Sequence, residues 1–167
     1  MNNNDRLVRL RYALDIKDLD MVEIFKLGEL EIKIEDVQRM LLKAKKDEDS
    51  TVNEYLKKCD NRTLEAFLNG LIVYKRGRQE TKPGEPQKQE FMIKNERNVN
   101  NVLLKKIKIA LALTSEEMLD ILDEAGVHLS KNELSAVLRK EGQRNYKECG
   151  DRYARNFLKG LALKYRD

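Results

Sequence analysis

The sequence of this chain occurs twice, and that restricts its fold more than anything else in it. Leu10-Arg11-Tyr12-Ala13-Leu14 returns as Ile107-Lys108-Ile109-Ala110-Leu111. Met21 and Ile24 return as Met118 and Ile121, and Leu41 and Lys43 as Leu138 and Lys140. After a change of length, Cys59, Arg62, Phe67, Leu68, Gly70, Leu71 and Arg76 recur in the same order as Cys149, Arg152, Phe157, Leu158, Gly160, Leu161 and Arg166. Whatever fold the first half adopts, the second is expected to adopt as well. A doubled unit suits recognition, which gains from presenting one surface twice, better than catalysis, which needs one asymmetric cluster of groups. The expectation is a binding protein and not an enzyme.

The period of the apolar residues is helical. Leu64, Phe67, Leu68, Leu71 and Ile72 line one face of a helix, and Ala154, Phe157, Leu158, Leu161 and Ala162 do the same in the second half. Thr114-Ser115-Glu116-Glu117 and Ser130-Lys131-Asn132-Glu133 read as capping boxes, in which a hydroxyl and a carboxylate satisfy amides that the first helical turn leaves unpaired. Gly126 lies where a left-handed residue would end the helix between them. Four short helices per repeat follow, over 4–14, 18–27, 34–45 and 61–75, then 101–112, 115–125, 131–140 and 151–165. The alternation Leu30-Glu31-Ile32-Lys33-Ile34 imitates a strand, but its counterpart Val127-His128-Leu129-Ser130-Lys131 is a turn between helices, so an all-α fold is expected. Gly70 and Gly160 fall inside helices, where glycine costs up to about 1 kcal/mol relative to alanine, so a neighbouring helix is expected to pass close to each.

Both prolines, Pro83 and Pro86, sit in a polar stretch that can neither continue a helix nor bury a face. The expected organisation is a helical repeat over 1–77, a linker over 78–99 and a second helical repeat over 100–167, docked on each other or moving independently. No long apolar run and no signal-peptide pattern occurs, which leads to the expectation of a cytoplasmic protein with no membrane contact. Cys59 and Cys149 hold equivalent positions without CxxC spacing, so neither a disulfide framework nor a zinc site is expected, and no cofactor is implied. Each precedes a helix, whose dipole would lower a thiol pKa. A small buried packing residue is the better reading. His128 is the single histidine and has Glu31 at its counterpart position, which suits a turn residue better than a catalytic one.

Charge is unevenly distributed. The net charge of +4 is a small excess in a chain that is 37% charged, but acids and bases balance over residues 1–80 while the end of the second repeat is basic. Arg152, Arg155, Lys159 and Arg166 keep spacings of 3, 4 and 7, forming a stripe that could neutralise phosphates or simply remain solvated. Their counterparts in the first repeat are Arg62, Glu65, Asn69 and Arg76, so the stripe is only half duplicated, which favours one dominant surface in the second repeat. Met118 to Arg139 also has helix-turn-helix logic, with Lys131, Asn132, Ser135 and Arg139 outward. The interval after Gly126 exceeds a tight helix-turn-helix turn and suits a packed hairpin equally. The candidate nucleic-acid contacts are Lys131, Asn132, Arg139, Lys140, Arg144, Lys147, Arg152, Arg155 and Lys159. The rival expectation is an adaptor that binds a protein in a groove between the repeats or forms a homodimer.

The runs Asn3-Asn4-Asp5, Leu10 to Leu14, Asp20-Met21-Val22-Glu23-Ile24-Phe25, Phe67-Leu68-Asn69-Gly70-Leu71-Ile72, Leu129 to Ala136 and Asn156 to Leu161 carry a resemblance over nearly the whole chain. In these motifs it resembles the YehS-like family of uncharacterised bacterial proteins. The resemblance implies a tandem duplication of a helical domain, with matching repeat boundaries, and supplies no catalytic residue. Where that family tends to have Ser-x-x-Glu and a Trp in the third helix, this chain has Ile34 to Met40 and no Trp anywhere.

Overall fold

Local polar side chains cap four of the helix starts among the described residues. The computed structural model describes residues 1–44, 54–77 and 90–166. Helix α1 (Asn3–Leu14) opens on a capping box that the sequence pattern had not announced: Asn2 accepts from the Asp5 amide and Asp5 accepts from that of Asn2. Helices α2 (Asp18–Leu27) and α3 (Ile34–Leu41) follow, and α4 (Asn61–Arg76) starts where Asp60 accepts from the Thr63 amide. After α5 (Val99–Ala110), Thr114 and Glu117 close the expected capping box on α6 (Ser115–Glu124). Ser130 caps α7 (Lys131–Leu138), and α8 (Asp151–Tyr165) ends the chain's helical order. Among the described residues there is no strand, only an isolated bridge between Lys43 and Tyr55.

Helix α5 ends at Ala110 instead of 112 and α6 at Glu124 instead of 125, and α3 and α7 also stop short, at Leu41 instead of 45 and Leu138 instead of 140. For α3 and α7 the reason is a pair of asparagines. Asn4 donates to the Met40 and Lys57 carbonyls and accepts from the Cys59 amide, while Asn101 donates to the Val137 and Lys147 carbonyls and accepts from the Cys149 amide. Each side chain satisfies a carbonyl of the last turn and ties the outgoing loop to the start of another helix. Leu42 and Arg139 are accordingly extended. The expected linker residues 78–89, both prolines included, lie outside the described residues, and α5 begins at Val99, within the stretch assigned to the linker.

The halves interlock. Helix α1 packs on α8 and α4 on α5, so the principal contacts of each half cross to the other, while α2 packs on α4 and α6 on α8. One hydrophobic cluster contains Leu10, Phe25, Phe67 and Leu71 together with Leu103, Ile107, Phe157 and Leu161. Phe67 and Phe157 are both fully buried, and Phe67 meets Phe25 with ring centroids 5.1 Å apart. Arg76 at the end of α4 donates to the Ile109 carbonyl on α5, and Arg166 after α8 donates to the Tyr12 carbonyl on α1.

Two intrahelical glycines, Gly70 and Gly160, and Gly28 at the end of α2 explain how tightly these helices cross. A Cβ on Gly70 would stand 1.8 Å from the Ile24 carbonyl oxygen, one on Gly28 would stand 1.8 Å from that of Ala66, and one on Gly160 would stand 2.2 Å from that of Ile121. Backbone touches backbone at both the α2–α4 and the α6–α8 crossings.

Candidate functional site

Four helix starts, those of α1, α4, α5 and α8, border a polar cleft of about 1020 Å³ lined by asparagines and by Arg6, Lys58, Cys59, Cys149 and Asp151. Most of its polar groups are spent on one another. Arg6, 5% exposed, donates to Asn100, Asn3 and Asp151, and Asn100 donates to Asp151 and the Cys149 carbonyl. Burial pulls the Arg6 guanidinium below its ordinary pKa, with Asp151 and Asp5 opposing the shift. Burial also pushes the Asp151 carboxyl upward, but Asn100, the Met1 ammonium and Arg6 outweigh it and hold Asp151 below the usual carboxylate range. Glu54, Asp60, Glu96, Glu148 and Asp151 outnumber the side-chain cations Arg6, Lys58 and Arg97 on the walls. The cleft is therefore a clamp between halves and a poor funnel for a polyanion.

Both thiols are part of that clamp. Cys59 and Cys149 are buried, and burial pushes each up to about 12, the opposite of the lowering that a helix start would give. The expected result is that neither labels with a thiol reagent at neutral pH in the native state. Because the unfolded thiol titrates near ~8.5, the unfolded state alone releases a proton between that pH and about 12, so stability contributed by the neutral thiols falls across this window. Denaturation of the wild type and of a Cys59→Ala/Cys149→Ala variant from neutral to alkaline pH checks it: the advantage of the wild type should shrink as pH rises.

The α4–α5 face carries its own occupant. Residues 90–94 run over it, with the Met92 and Ile93 amides donating to the buried Glu65 carboxylate at 2.6 and 2.8 Å. Lys106 on α5 pairs with Glu65 at 2.8 Å, donates to the Glu90 carbonyl at 2.7 Å and also donates to Asn69. Desolvation lowers the Lys106 pKa, and Glu65 opposes that shift. The Arg62 guanidinium lies over the Phe91 ring, 4.3 Å from its centroid. Sequence reasoning missed Glu65 and Lys106 as a pair because nothing local marks two charges on different helices as buried.

On the α1–α8 face, the residues at the same repeat positions are all cations. Arg152, Arg155 and Lys159 stand where α4 has Arg62, Glu65 and Asn69, and Arg9 stands where α5 has Lys106. All four are exposed, and none makes an ion pair among the described residues. At the far end of the same stripe Arg166 pairs with Asp15 and lies 4.1 Å over the ring of Tyr12, which is 52% exposed. Arg9 had no signal in the local charge pattern and emerges only when the two faces are compared.

The other sequence candidates are dispersed. Lys131 and Asn132 are exposed on the first turn of α7, Lys131 paired with Glu116 at 3.0 Å. Arg139, Lys140, Arg144 and Lys147 are exposed on the segment between α7 and α8, where Glu141 and Glu148 alternate with them. Arg139 is bonded back to the Arg144 carbonyl. Arg139 and Lys140 also edge a smaller recess of about 360 Å³ beside Phe91 and Tyr146. Of the nine candidates, Arg152, Arg155 and Lys159 share one helix face, and the Asp151 that opens their helix is paired with Arg6 and the Met1 ammonium and not with them.

Among the described residues no helix is long and apolar enough to cross a membrane, and no group of His, Cys, Asp and Glu is placed to hold a metal ion. No solved structure matches the chain. It is similar to "Uncharacterized protein YehS" of Escherichia coli (strain K12), with 38% identity over 165 residues that cover 98% of this chain and 96% of that protein. Residues 3–77 and 100–167 match a family described as "Protein of unknown function (DUF1456)", whose two matched stretches fall on α1–α4 and on α5–α8. The chain belongs to that family.

Proposed function

We propose that this protein is a non-enzymatic, nucleic-acid-associated binding protein, built from a duplicated four-helix unit, whose α1–α8 face takes the phosphate backbone. The observation that carries the reading is the set Arg9, Arg152, Arg155 and Lys159, four exposed cations with no acidic partner among the described residues. Cations kept for solubility alone would be equally served by pairing with nearby acids, as Lys164 is with Glu117 and Lys131 with Glu116. Unpaired guanidinium groups in a row instead suit phosphate, which they meet with directional hydrogen bonds.

Salt dependence tests it. Each neutralised phosphate releases counterions and adds about 0.7 to 0.9 to the log-log slope of affinity against salt. Changing Arg152, Arg155 and Lys159 together to glutamine should therefore flatten the slope by roughly 2 to 3 without unfolding the protein, since all three side chains face solvent. Gel-shift titrations at about 50 and 200 mM salt, against DNA and RNA in single- and double-stranded form, measure it. No binding at micromolar protein in low salt, an unchanged slope in the triple variant, or equal competition by an acidic polypeptide would overturn the reading and favour the adaptor.

A further inference from the structure

We infer that the α1–α8 face accepts a single strand of nucleic acid, with a base stacked on Arg152, a second base on Tyr12 and the backbone between them on Arg155, Lys159 and Arg9. This rests on the nucleic-acid reading above and names the form of ligand.

The argument comes from the face that is already filled. On α4–α5 the segment 90–94, which is neither helix nor strand, lies across the helices in two registers at once. Its planar ring, Phe91, is stacked under the Arg62 guanidinium, and its backbone is gripped by the charged pair Glu65 and Lys106. That geometry fits one chain with a ring beside a polar backbone. The α1–α8 face keeps the stacking group, since Arg152 holds the position of Arg62, and changes the grip, since Arg155 and Lys159 replace Glu65 and Asn69. An acceptor of amide protons has become a donor to oxygen anions. The occupant that pairs planar rings with an anionic backbone is a nucleic acid, and its rings are free to stack on a protein when the strand is single.

The stripe has the reach for several nucleotides. Arg152 and Arg166 are separated by roughly 21 Å of helix, with Arg155 and Lys159 between them. The half-exposed ring of Tyr12, backed by the Arg166 guanidinium, ends the track. A base already stacked inside a duplex can use neither Arg152 nor Tyr12 in this way, whereas a guanidinium plane and a tyrosine ring are both stacking platforms for an unpaired base.

The test separates charge from planarity. Fluorescence anisotropy with labelled single-stranded DNA and RNA of about 12 nucleotides, and with duplexes of the same length, is read for wild type, Arg152→Lys, Tyr12→Ala and Tyr12→Phe. Single strands should bind at least about tenfold more tightly than duplexes at equal salt. Arg152→Lys keeps the charge and loses the plane, so it should weaken single-strand binding about fivefold or more with the salt slope unchanged. Tyr12→Ala should do the same, and Tyr12→Phe should retain wild-type affinity because stacking needs no hydroxyl. Thermal melts of each variant should match wild type. Duplex bound as tightly as single strand, or both Arg152→Lys and Tyr12→Ala without effect, would overturn this inference and leave the broader nucleic-acid reading standing. No binding of any nucleic acid would overturn both.

Discussion

Gly70→Ala is expected to destabilise the protein severely, although alanine in place of glycine inside a helix ordinarily gains about 1 kcal/mol. The sign is reversed by the α2–α4 crossing. The new methyl carbon would lie 1.8 Å from the Ile24 carbonyl oxygen and 2.9 Å from the Gly28 amide nitrogen, and both obstacles are backbone that cannot rotate away. Overpacking typically costs about 1 to 3 kcal/mol and more when nothing flexible can yield, so a loss at or above the upper end is expected. For a chain of this size that corresponds to a fall in Tm of roughly 6 to 12 °C or more. Gly160→Ala, facing the Ile121 carbonyl at 2.2 Å, should behave alike. Gly150→Ala serves as the control, because a Cβ there meets nothing within 4 Å. Urea denaturation of the three variants decides the matter, and a Gly70→Ala protein as stable as wild type would mean that α2 and α4 do not cross so closely.

The second large effect belongs to the buried pair between the halves. Lys106→Met should cost about 3 to 5 kcal/mol, because it leaves the Glu65 carboxylate, whose side chain is 1% exposed, without its cation in a desolvated site. Two amide donors, from Met92 and Ile93, remain but cannot cancel the charge. Adding Glu65→Gln to Lys106→Met should recover part of the loss, since no buried charge remains, although the single Gln oxygen accepts from only one of the two amides that now meet Glu65 Oε1 and Oε2 and its NH2 faces the other. A double-mutant cycle in urea measures the coupling. Additive losses would show that Glu65 is neutralised by something other than Lys106. The segment over α4–α5 depends on the same pair, so proteolysis at Glu90–Lys94 should accelerate in Lys106→Met and return toward wild type in the double variant.

The candidate face was half legible beforehand. The spacing of Arg152, Arg155 and Lys159 already put them on one side of α8, because a helix of regular period fixes which residues share a face. Arg9 was not legible, since its neighbours are chosen by the packing of α1 on α8, across most of the chain. The nine basic and polar candidates looked like one block because they are close in sequence. In space Lys131 is paired with Glu116, Glu141 and Glu148 lie among the bases of the segment between α7 and α8, and Arg152, Arg155 and Lys159 are the candidates that share one helix face. The thiols were legible: a place before a helix would lower a thiol pKa, but both were expected to be small packing residues, and both are buried, with burial raising their pKa values.

Local physics was enough for the helices themselves. Apolar period, capping side chains and left-handed residues such as Gly126 act within a few positions, so the sequence alone determined the all-α class, the order of the eight helices among the described residues and the close approach at Gly70 and Gly160. What required the tertiary structure was everything set by partners distant in the chain. Asn4 and Asn101 end α3 and α7 by capturing carbonyls of their last turns, residues 90–94 cover one face while its counterpart exposes Arg9, Arg152, Arg155 and Lys159, and α1 chooses α8 while α4 chooses α5. The linker pattern left docked and independent repeats equally open. The apolar stripes of all four of those helices decide between them, because each is buried only when the two halves share one core.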